Sequence, residues 1–188
     1  MATTINADTV VGGAIITGDT SGQLALQSAG TTALTAASGN LTVAQKITAV
    51  GTSSTAGLKI ADVLETATIS ATAATGTINY DVTTQAVLYY TSNASANWTV
   101  NFRGSSGTSL NTLMATGESV TVAFLVTQGG TAYYNNAVQV DGNAVTPKYQ
   151  GGTAWSAGNA SSIDVYTYTI IKTGSAAFTI LAAQTQFK

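Results

Sequence analysis

The sequence predicts an all-β protein: an amino-terminal extended arm of short strands and turns, followed by an antiparallel, jelly-roll-like β-sandwich of about eight strands. From Glu65 onward, runs rich in Thr, Val, Ile and aromatic residues alternate in polarity, and Gly, Ser and Asn clusters separate them. Helical patterning is weak and confined to the segments IADVLE and SLNTLMATG, each of which is expected to form at most one short turn.

Aromatic residues divide the chain into two parts. None occurs before Tyr80, and all fourteen lie between Tyr80 and Phe187, so the two parts are stabilised differently. We predict an oligomerising or anchoring arm at residues 1–50, a linker at 51–64 and a β-sandwich domain at 65–188. A chain of 188 residues is long enough for one such domain with an appendage.

The arm contains short apolar segments separated by glycines that recur at intervals of eight and nine residues. This pattern predicts a succession of short strands and turns. The apolar residues are Leu24, Leu26, Leu34, Leu41 and Val43, and the turn residues are Gly22, Gly30 and Gly39. Without large side chains, one copy buries too little apolar area to offset its chain entropy. We hypothesise that the arm folds only against neighbouring subunits, intertwined about a symmetry axis. The alternative is a flexible tail rich in Gly, Ser and Thr.

Eight candidate strands follow: ETATIS, GTINYDV, AVLYYTSN, NWTVNFR, ESVTVAFLVTQ, YNNAVQVD, SIDVYTYTIIKT and AFTILAAQTQF. In NWTVNFR, the residues Trp98, Val100 and Phe102 share one face, as a half-buried strand requires. The two faces of ESVTVAFLVTQ are Val120, Val122, Phe124 and Val126 on one side and Thr121, Ala123, Leu125 and Thr127 on the other. Because its second face is not fully polar, this strand is expected to be central or covered on both faces. The single proline, Pro147, predicts a loop or a strand edge.

Charged residues make up only 7% of the chain, against roughly a quarter in typical soluble proteins. This composition suits a surface that is largely buried against copies of the same chain or another protein, because interface cores are depleted in charge. The net charge of −2 and the lack of a Lys or Arg run argue against nucleic-acid binding. No stretch is apolar enough to span a membrane, and MATTINADTV lacks the features of a signal peptide, so synthesis and assembly in a cytoplasm are expected.

The chain contains neither Cys nor His, which excludes disulfides, thiolate chemistry, Cys/His metal sites and imidazole-activated nucleophiles. The carboxylates Asp81, Glu118, Asp141 and Asp164 lie on separate strands and turns, with no candidate base nearby in sequence. Folding could still assemble an acid/base pair, which stays open as an alternative. We predict no enzyme and no catalytic, cofactor-binding or metal-binding residue.

The segment Asp141-Gly142-Asn143 has two interpretations. Asp-Gly is a preferred pair for a type I′ hairpin turn, whereas an oxygen-rich cluster could hold calcium. The turn is favoured because the spaced ligands of a calcium loop are missing. The pieces GGTAWSAGN and RGSSGTS lack the Lys and the strand-to-helix context of a phosphate cradle and are predicted to be loops. Sequons occur at Asn40, Asn93, Asn97 and Asn159, but without a secretory signal they do not indicate glycosylation.

The remaining functional signal is aromatic: Tyr89 and Tyr90, Tyr133 and Tyr134, Tyr149 and Trp155. Adjacent tyrosines on a strand point to opposite faces, so one ring of each pair is expected in the core and the other at the surface or at a subunit contact. Exposed rings on a sandwich can stack on sugars, which makes a glycan a candidate ligand. Core or inter-subunit packing explains the same residues without a ligand.

Two parts of the sequence resemble known virion proteins. TINYDVTTQAVLYYTSNASANWTVNFRG through NNAVQVDG, with SSIDVYTYTIIKTGSAAFTILAAQTQFK, resembles a module of structural proteins of tailed bacteriophages, particularly those of marine and cyanobacterial hosts. GDTSGQLALQSAGTTALT resembles the leading segments of phage fibre and appendage proteins. The resemblance implies a non-enzymatic, usually trimeric particle component of head or tail.

On this basis we expect a trimeric decoration or cement protein on the capsid surface, in contact with itself and with the major capsid protein or other virion proteins. A chain of 188 residues leaves little room for the long shaft of a tail fibre. A compact sandwich with a subunit-exchanging arm would stabilise an assembled shell by mass action. The alternative is a short tail fibre or appendage that binds host-surface glycan through exposed rings.

Overall fold

A computed structural model of the chain describes residues 23–28, 31–37, 40–43, 47–49, 51 and 57–188. The chain forms two compact units, unit 1 (Met1–Ala61) and unit 2 (Asp62–Lys188). In unit 1, an antiparallel sheet in the order β1-β2-β3 is formed by β1 (Gln23–Ser28), β2 (Thr31–Ala37) and β3 (Asn40–Val43). The predicted short strands are confirmed here, whereas the predicted turn residues Gly22, Gly30 and Gly39 lie outside the described residues.

All eight candidate strands of the second part form strands in unit 2, and two short ones are added. The strands are β4 (Ala67–Ala73), β5 (Gly76–Asp81), β6 (Val87–Ser92), β7 (Trp98–Arg103), β8 (Ser119–Thr127), β9 (Asn135–Val140), β10 (Asn143–Ala144), β11 (Lys148–Tyr149), β12 (Ile163–Gly174) and β13 (Ala177–Phe187). A four-residue helix, α1 (Leu110–Leu113), forms within SLNTLMATG, and IADVLE forms no helix. A 3-10 turn covers Gln150–Gly152. The all-β prediction is therefore confirmed for the described residues.

Unit 2 contains a four-stranded sheet and a six-stranded sheet. The strand order is β10-β9-β7-β5 in the first and β11-β13-β12-β8-β6-β4 in the second. From β4 to β9, successive strands alternate between the two sheets, so the chain winds from one sheet to the other. Each sheet therefore receives every second strand in the same direction. As a result β4, β6 and β8 pair in parallel, and so do β5, β7 and β9.

The expectation of a wholly antiparallel arrangement is wrong for this winding part. Antiparallel pairing needs strands that run back beside each other in one sheet, and this occurs for β8 with β12, β12 with β13 and β9 with β10. The first crossing, between β4 and β5, is only two residues long. It contains the fully buried Ala74 and is followed by Gly76, whose left-handed φ of 60° favours glycine.

The core lies between the two sheets, where aromatic rings from both meet edge to face. Trp98 of the four-stranded sheet packs on Phe124 and Tyr166 of the six-stranded sheet, with ring centroids 6.0 and 5.6 Å apart. Phe102 packs on Tyr168 in the same way, at 4.9 Å. All three residues predicted for the inner face of NWTVNFR are buried, which confirms that prediction.

Two phenol groups connect the sheets by hydrogen bonds. The Tyr80 hydroxyl on β5 donates to the carbonyl oxygens of Ala86 (2.6 Å) and Ala123 on β8 (3.2 Å). Burial raises the pKa of Tyr80 well above its usual value, so the hydroxyl keeps its proton and remains a donor. The Tyr168 hydroxyl on β12 donates to Oδ1 of Asn135 on β9 at 2.9 Å. Strand β8 lies between β6 and β12, a central position that its partly apolar second face had predicted.

Side chains from distant strands hold both ends of α1. At the amino end, the Asp141 carboxylate accepts hydrogen bonds from the N–H groups of Leu110 (2.6 Å) and Asn111 (2.9 Å). At the carboxyl end, Lys172 donates through Nζ to the carbonyl oxygens of Asn111 (2.5 Å) and Met114 (2.8 Å). Helix ends leave such groups without intrahelical partners, and each charge has the sign that the helix dipole favours.

The predicted turn at Asp141-Gly142 is confirmed, since these two residues connect β9 to β10 and have φ values of 51° and 79°. The carboxylate of Asp141 has a second role at α1 that the turn pattern did not predict. Pro147 is buried directly before β11, at the start of an edge strand where no ladder donor is needed.

Asp164 is a buried carboxylate on β12 with no exposed surface. Its Oδ2 accepts hydrogen bonds from Nε2 of Gln128 and from the N–H of Asn159, both at 3.0 Å. Within the described part of the chain, Oδ1 has no hydrogen-bond partner. Burial raises the pKa of Asp164, and the two hydrogen bonds offset only part of that effect.

We predict that Lys172→Met lowers the free energy of unfolding by roughly 2 to 3 kcal/mol, because two buried carbonyl groups lose their charged donor. Urea denaturation measures the effect. The control is Lys148→Met, which replaces an exposed lysine on the edge strand β11 and should change stability by less than about 0.5 kcal/mol. Equal effects of the two substitutions would contradict the role assigned to Lys172.

Asp164→Asn is expected to alter how stability depends on pH. The folded state holds the Asp164 proton more tightly than the unfolded state, whose pKa lies near 3.8. Between that value and the raised folded pKa, the free energy of unfolding therefore falls as the pH rises. The Asn variant lacks this fall, so its stability relative to the wild type should increase from acidic to neutral pH. Urea titrations across this range, with the exposed Asp62→Asn as control, measure the difference.

Candidate interaction surfaces

The six-stranded sheet has an inner face toward the core and an outer face directed away from it. Cross-strand register places Ile69, Tyr89, Leu125 and Val165 in one row across β4, β6, β8 and β12. The other outward positions of the sheet are Ala67, Val87, Ser119, Thr121, Ala123, Thr127, Ile163, Thr167, Thr169, Ile171, Thr179, Leu181, Ala183, Thr185 and Phe187. None of these side chains is charged. Lys148 on the short edge strand β11 stands opposite the outward Leu181, so it is the one charged side chain at the outward strand positions of this sheet, and it lies at the edge.

Several apolar side chains of this outer face are open to solvent in the single chain. Ile69 is 62% exposed, Phe187 is 56% exposed, and most other outward residues are half-buried. A shallow groove of about 470 Å³ crosses the face beside β11, where Leu181, Thr167 and Thr169 form part of its lining. The outer face is therefore an uncovered, largely apolar surface within unit 2.

The outer face of the four-stranded sheet is different in kind. Asn79 and Asn101 stand opposite each other, and Nδ2 of Asn101 donates to Oδ1 of Asn79 at 2.8 Å. One position further along, Arg103 donates through Nε to Oδ1 of Asp81 at 2.5 Å. The side-chain hydrogen bond raises the pKa of Arg103, which stays charged. This face is polar, and its side chains bind one another.

Unit 1 has a second set of exposed apolar side chains. Leu26 on β1 stands opposite Leu34 on β2, and Leu34 stands opposite Val43 on β3, so the three form a row across the small sheet. Other large side chains of the described part of unit 1 lie largely in solvent: Leu41, Ile47, Leu58 and Ile60. In unit 2, Val63 and Leu64 continue this pattern before β4, and Leu64 is fully exposed.

The adjacent rings Tyr89 and Tyr90 point to opposite sides, as predicted. Tyr90 packs inward against Phe124, with ring centroids 5.5 Å apart, whereas Tyr89 lies on the outer face of the sheet. The prediction is wrong for Tyr133 and Tyr134, which both pack against the core. These two residues lie in the loop before β9, so the alternation of a strand does not apply to them.

Trp155 and Tyr149 close one side of the core. The Trp155 ring lies 4.8 Å from the Tyr149 ring and 5.2 Å from the Tyr166 ring, both edge to face. Its Nε1 donates to the carbonyl oxygen of Asn135 at 2.5 Å. A cleft of about 210 Å³ beside it is lined partly by Gln150, Gln184 and Trp155 itself. The contacts make Trp155 chiefly a packing residue at this edge.

The predicted carboxylates bind different partners. Asp81 pairs with Arg103, Glu118 accepts a hydrogen bond from the N–H of Ala115 at 2.8 Å, and Asp141 binds the N–H groups of α1. Asp164 is buried among other groups. Among the residues that the structure describes, no group of three or more His, Cys, Asp or Glu side chains is arranged to hold a metal ion.

No protein-family model, curated protein or solved structure matches the chain. No helix in the described ranges has the length and apolar character needed to cross a lipid bilayer. A functional interpretation therefore depends on two structural observations. One is the contrast between the two outer faces of unit 2, and the other is the exposure of apolar side chains in unit 1.

We predict that Trp155→Ala lowers the free energy of unfolding by roughly 3 kcal/mol, because it removes a large ring packed on two core tyrosines. Thermal or urea unfolding measures the loss. Thr77→Ala, which shortens an exposed side chain on the edge strand β5 of the other sheet, is the control and should have a much smaller effect. If Trp155 served only as a platform for a ligand, Trp155→Ala would leave the free energy of unfolding unchanged.

Proposed function

We propose that this chain is a non-enzymatic structural protein of a tailed-bacteriophage virion, assembled as a homotrimer and attached to the capsid surface as a decoration or cement protein. The observation that carries the proposal is the exposure of large apolar side chains in unit 1, including Leu41, Ile47 and Leu58. Such side chains are stabilised when another protein surface covers them. Intertwined copies of the arm would provide that cover.

The composition and the sequence resemblance support the same proposal. Only 7% of the residues are charged, as suits a chain that is extensively covered in an assembly. The segments TINYDVTTQAVLYY and SSIDVYTYTIIKT are among those that resemble phage virion proteins. We also propose that unit 2 is a β-sandwich, which the contacts of Trp98 with Phe124 and Tyr166 between the two sheets support.

In the proposed mechanism, the protein stabilises the head by binding the assembled shell and not its free subunits. A ligand that binds only the assembled state shifts the equilibrium toward that state by mass action. The arm interlocks the copies or contacts the major capsid protein, while unit 2 projects from the shell or fills a gap between capsomers. This role needs neither a cofactor nor nucleic acid.

The alternative is a short tail fibre or appendage that binds host-surface glycan. The cleft beside Trp155 favours it to a limited degree, because an indole ring and the amides of Gln150 and Gln184 are groups that can contact a sugar. Loss of glycan binding in Trp155→Phe, a variant that keeps a ring in the core, would support the alternative.

The proposal is tested by locating the protein on purified particles with electron microscopy and a specific antibody. We expect label over the whole head and a high copy number per particle. A few copies at the tail tip would contradict it and favour the appendage. Leu41→Glu is expected to reduce head occupancy, because it introduces a charge among apolar contacts, whereas Thr77→Glu on exposed β5 should retain it.

A further inference from the structure

We propose that the outer face of the six-stranded sheet is a contact surface between copies of this chain, centred on the row of Ile69, Tyr89, Leu125 and Val165. This inference deepens the proposed function. It rests on that proposal for one point only, which is that the protein is a homo-oligomer. It assigns the contact to a face of unit 2, whereas the proposed function relies on the exposed side chains of unit 1.

The central strands of this sheet have the pattern of strands covered on both sides. Along β8, the inward Val122, Phe124 and Val126 alternate with the outward Ala123 and Leu125, so both faces are apolar in the middle of the strand. The outward Ser119, Thr121 and Thr127 lie toward its ends. Strands with two apolar faces are typical of sheets that are buried on both sides. The four-stranded sheet covers the inner face, and nothing in unit 2 covers the outer one.

Four hydroxyl groups of the outer face are paired with each other, which lowers the cost of removing them from water. The hydroxyl groups of Thr121 and Thr169 lie 2.9 Å apart and are hydrogen-bonded to each other. The Thr127 hydroxyl donates to the Tyr89 hydroxyl at 3.3 Å. Burial of a polar group is unfavourable mainly when its hydrogen bonds are lost, so these four hydroxyl groups can be covered at a low cost in hydrogen bonding.

The size of the face fits a stable contact between subunits. Strands lie about 4.8 Å apart and rise about 3.3 Å per residue, so these six strands form a surface of roughly 700 Å². Stable interfaces bury about 800 Å² on each partner. The face is thus large enough to hold copies together when most of it is covered.

A second copy is the partner that matches this chemistry. A charged partner surface would lose its hydration against a face whose one charge, Lys148, lies at its edge, and would gain no counter-charge at its centre, which is unfavourable. Another copy brings an equally apolar centre to the contact, and the three copies of a homotrimer can each turn this face toward the symmetry axis. The polar outer face of the four-stranded sheet lacks this match, because Arg103 and Asp81 would be buried with it.

The test compares the same substitution on the two outer faces. Ala123→Glu places a carboxylate on the proposed contact, and Ala137→Glu places one on the exposed face of the four-stranded sheet. Light scattering on the purified full chain measures the mass, and circular dichroism measures folding. We expect Ala123→Glu to weaken association about 100-fold or more, because the charge would be buried without a partner. Ala137→Glu should assemble like the wild type.

A second pair of variants keeps the test decisive if Ala123→Glu does not fold. The chain has no cysteine, so Ala123→Cys and Ala137→Cys each supply a single thiol. A short bismaleimide linker should join copies of Ala123→Cys efficiently and copies of Ala137→Cys poorly.

A monomeric wild type overturns the inference, as does unchanged assembly of Ala123→Glu or equal cross-linking of the two Cys variants. In the last two cases another surface joins the copies. A monomeric wild type would also remove the homotrimer from the proposed function, whereas the other two results remove only this contact surface. The place of the protein on the particle is judged separately, by electron microscopy.

Discussion

Trp98 lies where the two sheets of unit 2 meet, and its packing against Phe124 and Tyr166 determines what the rest of the unit presents to its surroundings. Side chains of a strand alternate between faces, so fixing one inward residue fixes every outward residue of that strand. With Phe124 inward, Ala123 and Leu125 are necessarily outward. The same contact that builds the core therefore builds the apolar outer face.

Four charged side chains in the described part of the chain have structural roles within unit 2. Arg103 and Asp81 bind each other, while Asp141 and Lys172 bind the two ends of α1. These four side chains satisfy groups that their own unit would otherwise leave unpaired, and so contribute little charge to the open surface. Apart from the Arg103–Asp81 pair on the four-stranded sheet and Lys148 on β11, the outward strand positions of unit 2 therefore carry no charge.

Much of the strand content could be predicted from the sequence, because alternation and turn residues act over short distances. The eight longer strands of unit 2, the inner face of β7 and the turn at Asp141-Gly142 follow from such local signals. The pairing could not be predicted, because alternation shows which face of a strand is buried but not which sheet the strand joins. The winding from β4 to β9 is a property of the connections, and the two-residue crossing at Ala74 has no distinctive sequence pattern.

The candidate surfaces were predictable only in part. The mixed second face of β8 indicated a covered strand, and the adjacent Tyr89 and Tyr90 indicated one outward ring. The continuity of the outer face depends on register between strands that lie far apart in sequence, such as β8 and β12. The roles of Lys172 and Asp141 at α1 escaped prediction for the same reason, since each acts on a helix at least thirty residues away.

The winding has a consequence for the order in which unit 2 is assembled. Each parallel pair, such as β6 with β8, joins segments separated by a strand of the other sheet, whereas β12 and β13 are neighbours joined by a tight turn. Pairing of distant segments is slow because the intervening chain loses entropy before contacts form. We therefore expect the β12–β13 hairpin to form before the parallel pairs, and β8 gains its second neighbour only once β12 is present. Because β8 precedes β12 in the chain, the six-stranded sheet cannot be completed until β12 has been synthesised.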